Sequence, residues 1–179
     1  MKRLLLMRHA KTENWYPGAD DESRALIARG WSDARLVAQD LVARGSVPDR
    51  VIMSTARRTR ETWKALSDVM PGAKHEVLEE LYAIQANALL ELIAAKWPAT
   101  GSLLVIGHNP GIHELACTLA LNHSRSDADA TRVLGLKMPT SALAVFEFEG
   151  AGTPLEHALR LSDFIVAKNL RPGNDEVTL

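Results

Sequence analysis

One cysteine, Cys117, stands among 179 residues, so the chain can close no disulfide within itself. That fits a reducing compartment. No apolar stretch approaches the ~20 residues that a membrane span needs. The opening Met1-Lys2-Arg3-Leu4-Leu5-Leu6-Met7 imitates the start of a signal peptide, but Arg8 and His9 cut its apolar run far too early. Neither sign of charge is in excess: the formal net charge is -1, which removes any general attraction to nucleic acid or to an anionic membrane. No internal repeat and no linker divides the sequence. Hydrophobic residues at 46% and charged residues at 24% are globular values. The expectation is one soluble, cytoplasmic domain over residues 1–165, with a sizeable core, and a loosely held tail over 166–179 rich in turn residues.

What is present is an arrangement used three times. Leu4-Leu5-Leu6-Met7 runs into Arg8-His9. Val51-Ile52-Met53 runs into Ser54-Thr55-Ala56-Arg57-Arg58, and Leu103-Leu104-Val105-Ile106 into Gly107-His108-Asn109-Pro110. A short apolar run bounded by polar residues reads as a buried parallel strand. In open α/β sheets, ligands collect beyond the carboxyl ends of such strands. If the three lie side by side, Arg8, His9, Arg58 and His108 converge on one crevice. Guanidiniums present a planar fork of donors that matches phosphate oxygens and stays charged, so the constellation is a receptacle for a phosphoryl group.

These residues also resemble a known family. Arg8-His9-Ala10-Lys11-Thr12 resembles the Arg-His-Gly signature of the histidine phosphatase superfamily, with Ala10 at the usual glycine. The block from Ser54 to Thr62 resembles its Ser-Pro-x-x-Arg-Ala-x-Gln-Thr motif, and registering on Ser54 and Thr62 puts the family arginine at Arg58, not Arg57. Gly107-His108-Asn109-Pro110 resembles the block that carries the second histidine. The short chain and Pro139-Thr140-Ser141-Ala142 look most like the SixA-type phosphohistidine phosphatases of that superfamily. The resemblance implies an α/β fold, a three-layer α/β/α sandwich around a mostly parallel sheet, phosphoglycerate mutase-like. It also implies a proton donor near Glu80, with Glu79 the rival, and phosphate contacts from the loop after His9, for which Thr12 is the candidate and Asn14 a poorer match.

The rest of the chain is read from its periodicity. Leu26, Ile27, Trp31, Ala34, Val37, Ala38 and Leu41 predict a helix over 26–44, weakened at Gly30 and closed by Gly45. Ser54 or Thr55 is positioned to cap a second helix with Thr59, Trp63, Leu66 and Met70 inward, and Arg58 in its first turn meets free backbone amides that favour an anion. His75–Leu78 reads as a strand and 88–97 as a helix. The polar stretch 122–129 reads as a long loop, and 141–148 and 157–161 as the last strands. The acidic loop from Asn14 to Glu22 is either a flap over the site or a solvated connection.

The function expected is metal-independent phosphoryl transfer to a neutral His9 nitrogen, followed by hydrolysis. Arg8, Arg58 and His108 would bind the equatorial oxygens, with no metal and no cofactor. The substrate is a phosphorylated protein or a small phosphorylated compound. The ill-defined acid leans toward phosphohistidine or another phosphoramidate, whose nitrogen leaving group is readily protonated. The rivals are a phosphoglycerate mutase-like phosphotransferase and a non-catalytic module that binds phospho-ligands. No Cys-x5-Arg loop follows Cys117, no Gly-Asn-His-Glu or Asp-x-His metal block is present, and His108 and His113 do not share a helix face as a zinc pair would. Sequence leaves the oligomeric state open.

Overall fold

A computed structural model describes residues 1–98 and 101–171. Its frame is a six-stranded sheet of β1 (Lys2–Arg8), β2 (Arg50–Ser54), β3 (Lys74–Leu78), β4 (Ser102–Gly107), β5 (Leu143–Phe148) and β6 (Arg160–Ile165), in the order β3-β2-β4-β1-β5-β6. The strands β3, β2, β4 and β1 run parallel, and β5 pairs antiparallel with both β1 and β6. The three strands singled out from sequence are therefore consecutive neighbours, with β4 between β2 and β1.

Helices α1 (Ala28–Ala43), α2 (Arg57–Ser67), α3 (Ala86–Ala95), α4 (Gly111–Leu121) and α5 (Ala128–Leu136) cover both faces. Successive strand residues point to opposite sides, so Leu5, Met7, Val51 and Met53 pack with Val37, Leu41, Trp63 and Leu66 of α1 and α2. On the other face Leu4, Leu6, Ile52 and Val105 pack with Leu89, Ile93, Ile112 and Leu115 of α3 and α4. This is the three-layer sandwich expected. Near-continuous burial of β1, β2 and β4 follows from helices on both sides. No helix of the described residues is long and apolar enough to cross a membrane.

Gly30, which weakened the case for α1 by sequence, has a packing reason. A Cβ there would lie 2.2 Å from the Lys11 carbonyl oxygen, so glycine lets α1 abut the chain leaving β1. Four local expectations need correction. Neither Ser54 nor Thr55 caps α2: Ala56 stands at the N-cap with no side-chain bond, and Thr55 turns to Glu22 instead. Residues 128–136, the first two expected in a loop, form α5, started by Asp127, whose carboxylate accepts from the Ala130 amide. The last strand runs Arg160–Ile165 and not over 157–161: a 3-10 turn, Pro154–Glu156, held by a Thr153–Glu156 capping box, comes first, and residues 157–159 join it to the strand. Residues 167–171 do not lie loosely: Ala167 is buried, and Arg171 grips the buried Asp33 of α1 through both guanidinium Nη2–carboxylate contacts, 2.7 and 2.8 Å. The remainder of the expected tail, like residues 99–100, lies outside the described residues.

Candidate active site

The carboxyl ends of β1, β4 and β2 deliver the residues in question to one place. Register aligns Arg8 with Gly107, and the His9 amide donates to the Gly107 carbonyl at 3.1 Å. His9 and His108, the residues just past the two strand ends, have ring centroids 5.3 Å apart. Arg58 comes from the first turn of α2 and reaches them from the β2 side: its Nε donates to His108 Nδ1 at 3.3 Å.

His9 is buried. Its Nδ1 lies 2.8 Å from the Ala10 carbonyl oxygen. A carbonyl can only accept, so Nδ1 carries the proton and Nε2 keeps a free lone pair. Burial, chiefly, pushes His9 down to about 3; the Ala10 carbonyl opposes this, and His108, Arg58 and Arg8 reinforce it. The ring is neutral over the whole ordinary pH range. Ala10 has no positive φ and packs with Leu26, Ala34 and Ala65, so its methyl is seated where the family has glycine.

His108 is fixed from both sides. Its Nδ1 accepts from Arg58, and its Nε2 donates to Ser54 Oγ at 2.6 Å. Burial and Arg58 lower it to about 4, with Asp21 pulling the other way. Ser54 was expected to hold a helix end; it holds this imidazole. Arg8 donates from Nη1 to the Met138 carbonyl, which Asn109 Nδ2 also uses, both at 3.0 Å. Arg8 Nε is buried with no hydrogen-bond partner among the described residues.

Outside these groups lies a cavity of about 520 Å³ lined by Asp21, Arg58, Tyr82, Ile84, His108 and Glu114, among others. Asp21 and Tyr82 were not anticipated. Asp21 comes from the acidic loop after β1, and its carbonyl accepts from Arg58 Nη1 at 2.6 Å. Its Oδ2 accepts from Arg58 Nη2 and from the Tyr82 hydroxyl, both at 2.9 Å, and its Oδ1 from Arg24 Nη1 at 2.9 Å. Desolvation would raise this carboxyl, but the bonds from Arg24, Tyr82 and Arg58 outweigh it and bring Asp21 down to about 2. Burial and the Asp21 bond raise Tyr82. Thr12 is buried and its hydroxyl accepts from Arg24 Nη2 at 2.7 Å, so it steadies the arginine that steadies Asp21.

The arrangement thus gathers His9, Arg8, Arg58 and His108. It does not bring Glu80 or Glu79 among them. Both sit in the 3-10 turn Glu79–Leu81 and are exposed, and neither lines the cavity. Cys117 is half-buried on α4, and burial raises its thiol. Among the described residues no group of three or more His, Cys, Asp or Glu side chains is placed to hold a metal ion. Chemically, the site offers a neutral imidazole nitrogen beside fixed guanidiniums, the elements of nucleophilic attack on a bound phosphoryl group.

Comparison with known proteins agrees. The model of the histidine phosphatase superfamily (branch 1) matches residues 4–100, which contain Arg8, His9 and Arg58. An uncharacterized protein of Mycobacterium tuberculosis is 35% identical over 151 residues, 84% of this chain and 92% of that protein. Among solved structures, a chain from Agrobacterium tumefaciens provisionally assigned as phosphohistidine phosphatase SixA superposes with a TM-score of 0.75 at 30% identity, covering 92% of this chain and 97% of its own. A second, from Nakamurella multipartitia with the same provisional assignment, gives 0.78 at 27% identity, over 92% and 95% of the two chains.

Proposed function

Because the chain belongs to the histidine phosphatase superfamily and is a phosphatase, we propose that it acts without a metal through a phosphohistidine formed on His9, with protein phosphohistidine as its substrate. The observation that carries this reading is the His9 tautomer. With Nδ1–H tied to the Ala10 carbonyl, Nε2 is left as an unprotonated nucleophile. Arg58 and Arg8 bind the equatorial oxygens, Arg8 through the Nε that has no other partner. His108, kept neutral chiefly by burial and then by Arg58, is drawn toward protonation when a phosphoryl dianion arrives beside it, because the anion favours the charged ring. It then adds a charge-assisted hydrogen bond to the transferring group.

Attack by Nε2 forms the P–N bond to His9 as the bond to the leaving group breaks. Water then attacks phosphorus, the electron pair returns to Nε2, and orthophosphate departs carrying both of the water's protons. The position of Glu80, exposed and outside the cavity lining, supports a leaving group that needs no carboxylic acid. An imidazole satisfies that; an alkoxide does not. On this reading residues 1–165 form one catalytic domain working in the cytoplasm, with 167–171 packed against α1.

The test is phosphate release from a phosphohistidine peptide in EDTA, with acid-stable and acid-labile label on the protein measured after rapid quench. Turnover in EDTA with an acid-labile, base-stable phosphoenzyme is the expected result. Turnover abolished by EDTA, or undiminished in His9→Ala, would sink the mechanism.

A further inference from the structure

The phosphoryl group accounts for Arg8, His9, Arg58 and His108, and leaves unexplained a charged carboxylate in the wall of the same cavity. An anion beside a phosphate site is a burden for most substrates. Asp21 Oδ2 lies 2.9 Å from Arg58 Nη2, so a phosphoryl held by Arg58 has Asp21 as its neighbour. For a phosphomonoester dianion with a neutral leaving group, that contact is repulsive. It becomes attractive when the group bonded to phosphorus is itself a cation, as a phosphorylated imidazole with its second nitrogen protonated is.

Resting on the phosphohistidine reading above, we propose that Asp21 is a specificity-determining residue, receiving the ring N–H of the substrate's phosphorylated imidazole and so selecting phosphorus carried on a cationic imidazolium ring over phosphorus carried on oxygen. His9 lies outside the cavity lining, while Asp21, Arg58, Tyr82 and His108 form part of it. On this proposal the group leaving in line with attack from His9 departs into this cavity, of which Asp21 forms a wall. The carboxylate is held for this task. Arg24 fixes Oδ1, and Tyr82 and Arg58 fix Oδ2, three bonds on a group with about four acceptor positions. When Arg58 turns its donors to the phosphoryl oxygens, further acceptor capacity is released. Glu114, the other carboxylate named in the wall, is exposed.

The chemistry is nearly symmetric. In the phosphorylated substrate one ring nitrogen carries phosphorus and the other carries a proton. The His9 Nε2–P bond forms as the substrate N–P bond breaks, and the breaking pair stays on the substrate ring. That ring keeps its other proton and leaves as neutral imidazole. His9 becomes the phosphorylated imidazolium, its Nδ1 proton on the Ala10 carbonyl. One side of the transfer has an acceptor for its imidazole N–H in Ala10, and Asp21 supplies the acceptor on the other.

The test compares kcat/KM of the full chain, as wild type, Asp21→Asn and Asp21→Glu, on a phosphohistidine peptide and on p-nitrophenyl phosphate, whose leaving group carries no N–H. Asp21→Asn is expected to lower the ratio of the peptide value to the p-nitrophenyl phosphate value about tenfold or more, because only the peptide's leaving group carries an N–H. Asp21→Glu should recover part of the preference. An unchanged thermal unfolding midpoint shows that the variant is folded. An unchanged ratio, or an equal fall on both substrates, would overturn the proposal, the latter making Asp21 only a brace for Arg58. A wild type that uses the peptide no better than p-nitrophenyl phosphate would instead sink the phosphohistidine reading, and the role of Asp21 with it.

Discussion

The site has a floor and a rim, and they are built differently. The floor hangs from strand ends: Arg8 and His9 follow β1, His108 follows β4, and Arg58 opens the helix after β2. His9 and Arg58 are buried, and His9 and His108 are each held by partners within the floor. The rim comes from the loop after β1 and the turn after β3. Its Asp21 side chain is 39% exposed and is held by a relay from Thr12 through Arg24. A buried floor fixes charge and tautomer, which chemistry requires. A wetter rim can yield Arg58 to a substrate and take it back, which selection requires.

The division can be broken most severely at His9. Replacement by alanine should lower kcat by about a thousandfold or more, with no acid-labile label on the protein, because the step that needs a covalent acceptor has none. Ser54→Ala should be milder, about tenfold in kcat/KM by steady-state phosphate release, since it frees one side of His108 but leaves the ring in place. Acid should find the floor before the rim. His9 and His108 are held at about 3 and about 4 against an ordinary 6.5, so the unfolded chain binds protons first and stability falls as pH drops below 6.5. Asp21, at about 2 against 3.8, subtracts stability only below 3.8. Urea midpoints at about pH 7 and about pH 5 should therefore differ, and His108→Asn should shrink the difference. The smallest effect should be at Glu80, where glutamine is expected to leave phosphohistidine turnover within about twofold, a loss of the size expected for an exposed carboxylate away from the chemistry. A larger loss would move this turn into the rim.

The same division separates what could be read in the sequence from what could not. Each floor residue follows a short apolar run, and the strands' own periodicity carries it to the sheet's carboxyl edge. The rim depends on contacts between distant segments: Asp21 meets Arg58 across 37 positions and Tyr82 across 61. Nothing in the string Asp20-Asp21-Glu22 marks the middle residue. Ser54 was visible in its motif, but local capping chemistry suggested a helix end where the tertiary structure supplies an imidazole. Helix α5 was hidden because its first turn is as polar as the loop before it, though Asp127, a favoured N-cap residue, stands directly ahead of it. Ala10 was an open question by sequence alone, since only the backbone conformation shows that a methyl is accommodated there.

The antiparallel strand β5 beside β1 has a consequence for persistence. It makes β1 an interior strand, paired along both edges, and it extends that protection past the strand end, where the Arg8 amide bonds to Ala142 and the Ser141 amide returns to Arg8 and His9. Amides so enclosed exchange with solvent only when the sheet itself opens, whereas a surface loop exchanges by small local excursions. Under mild denaturation the enzyme should therefore lose discrimination before it loses its nucleophile, passing through a state that still transfers phosphate but no longer chooses from what.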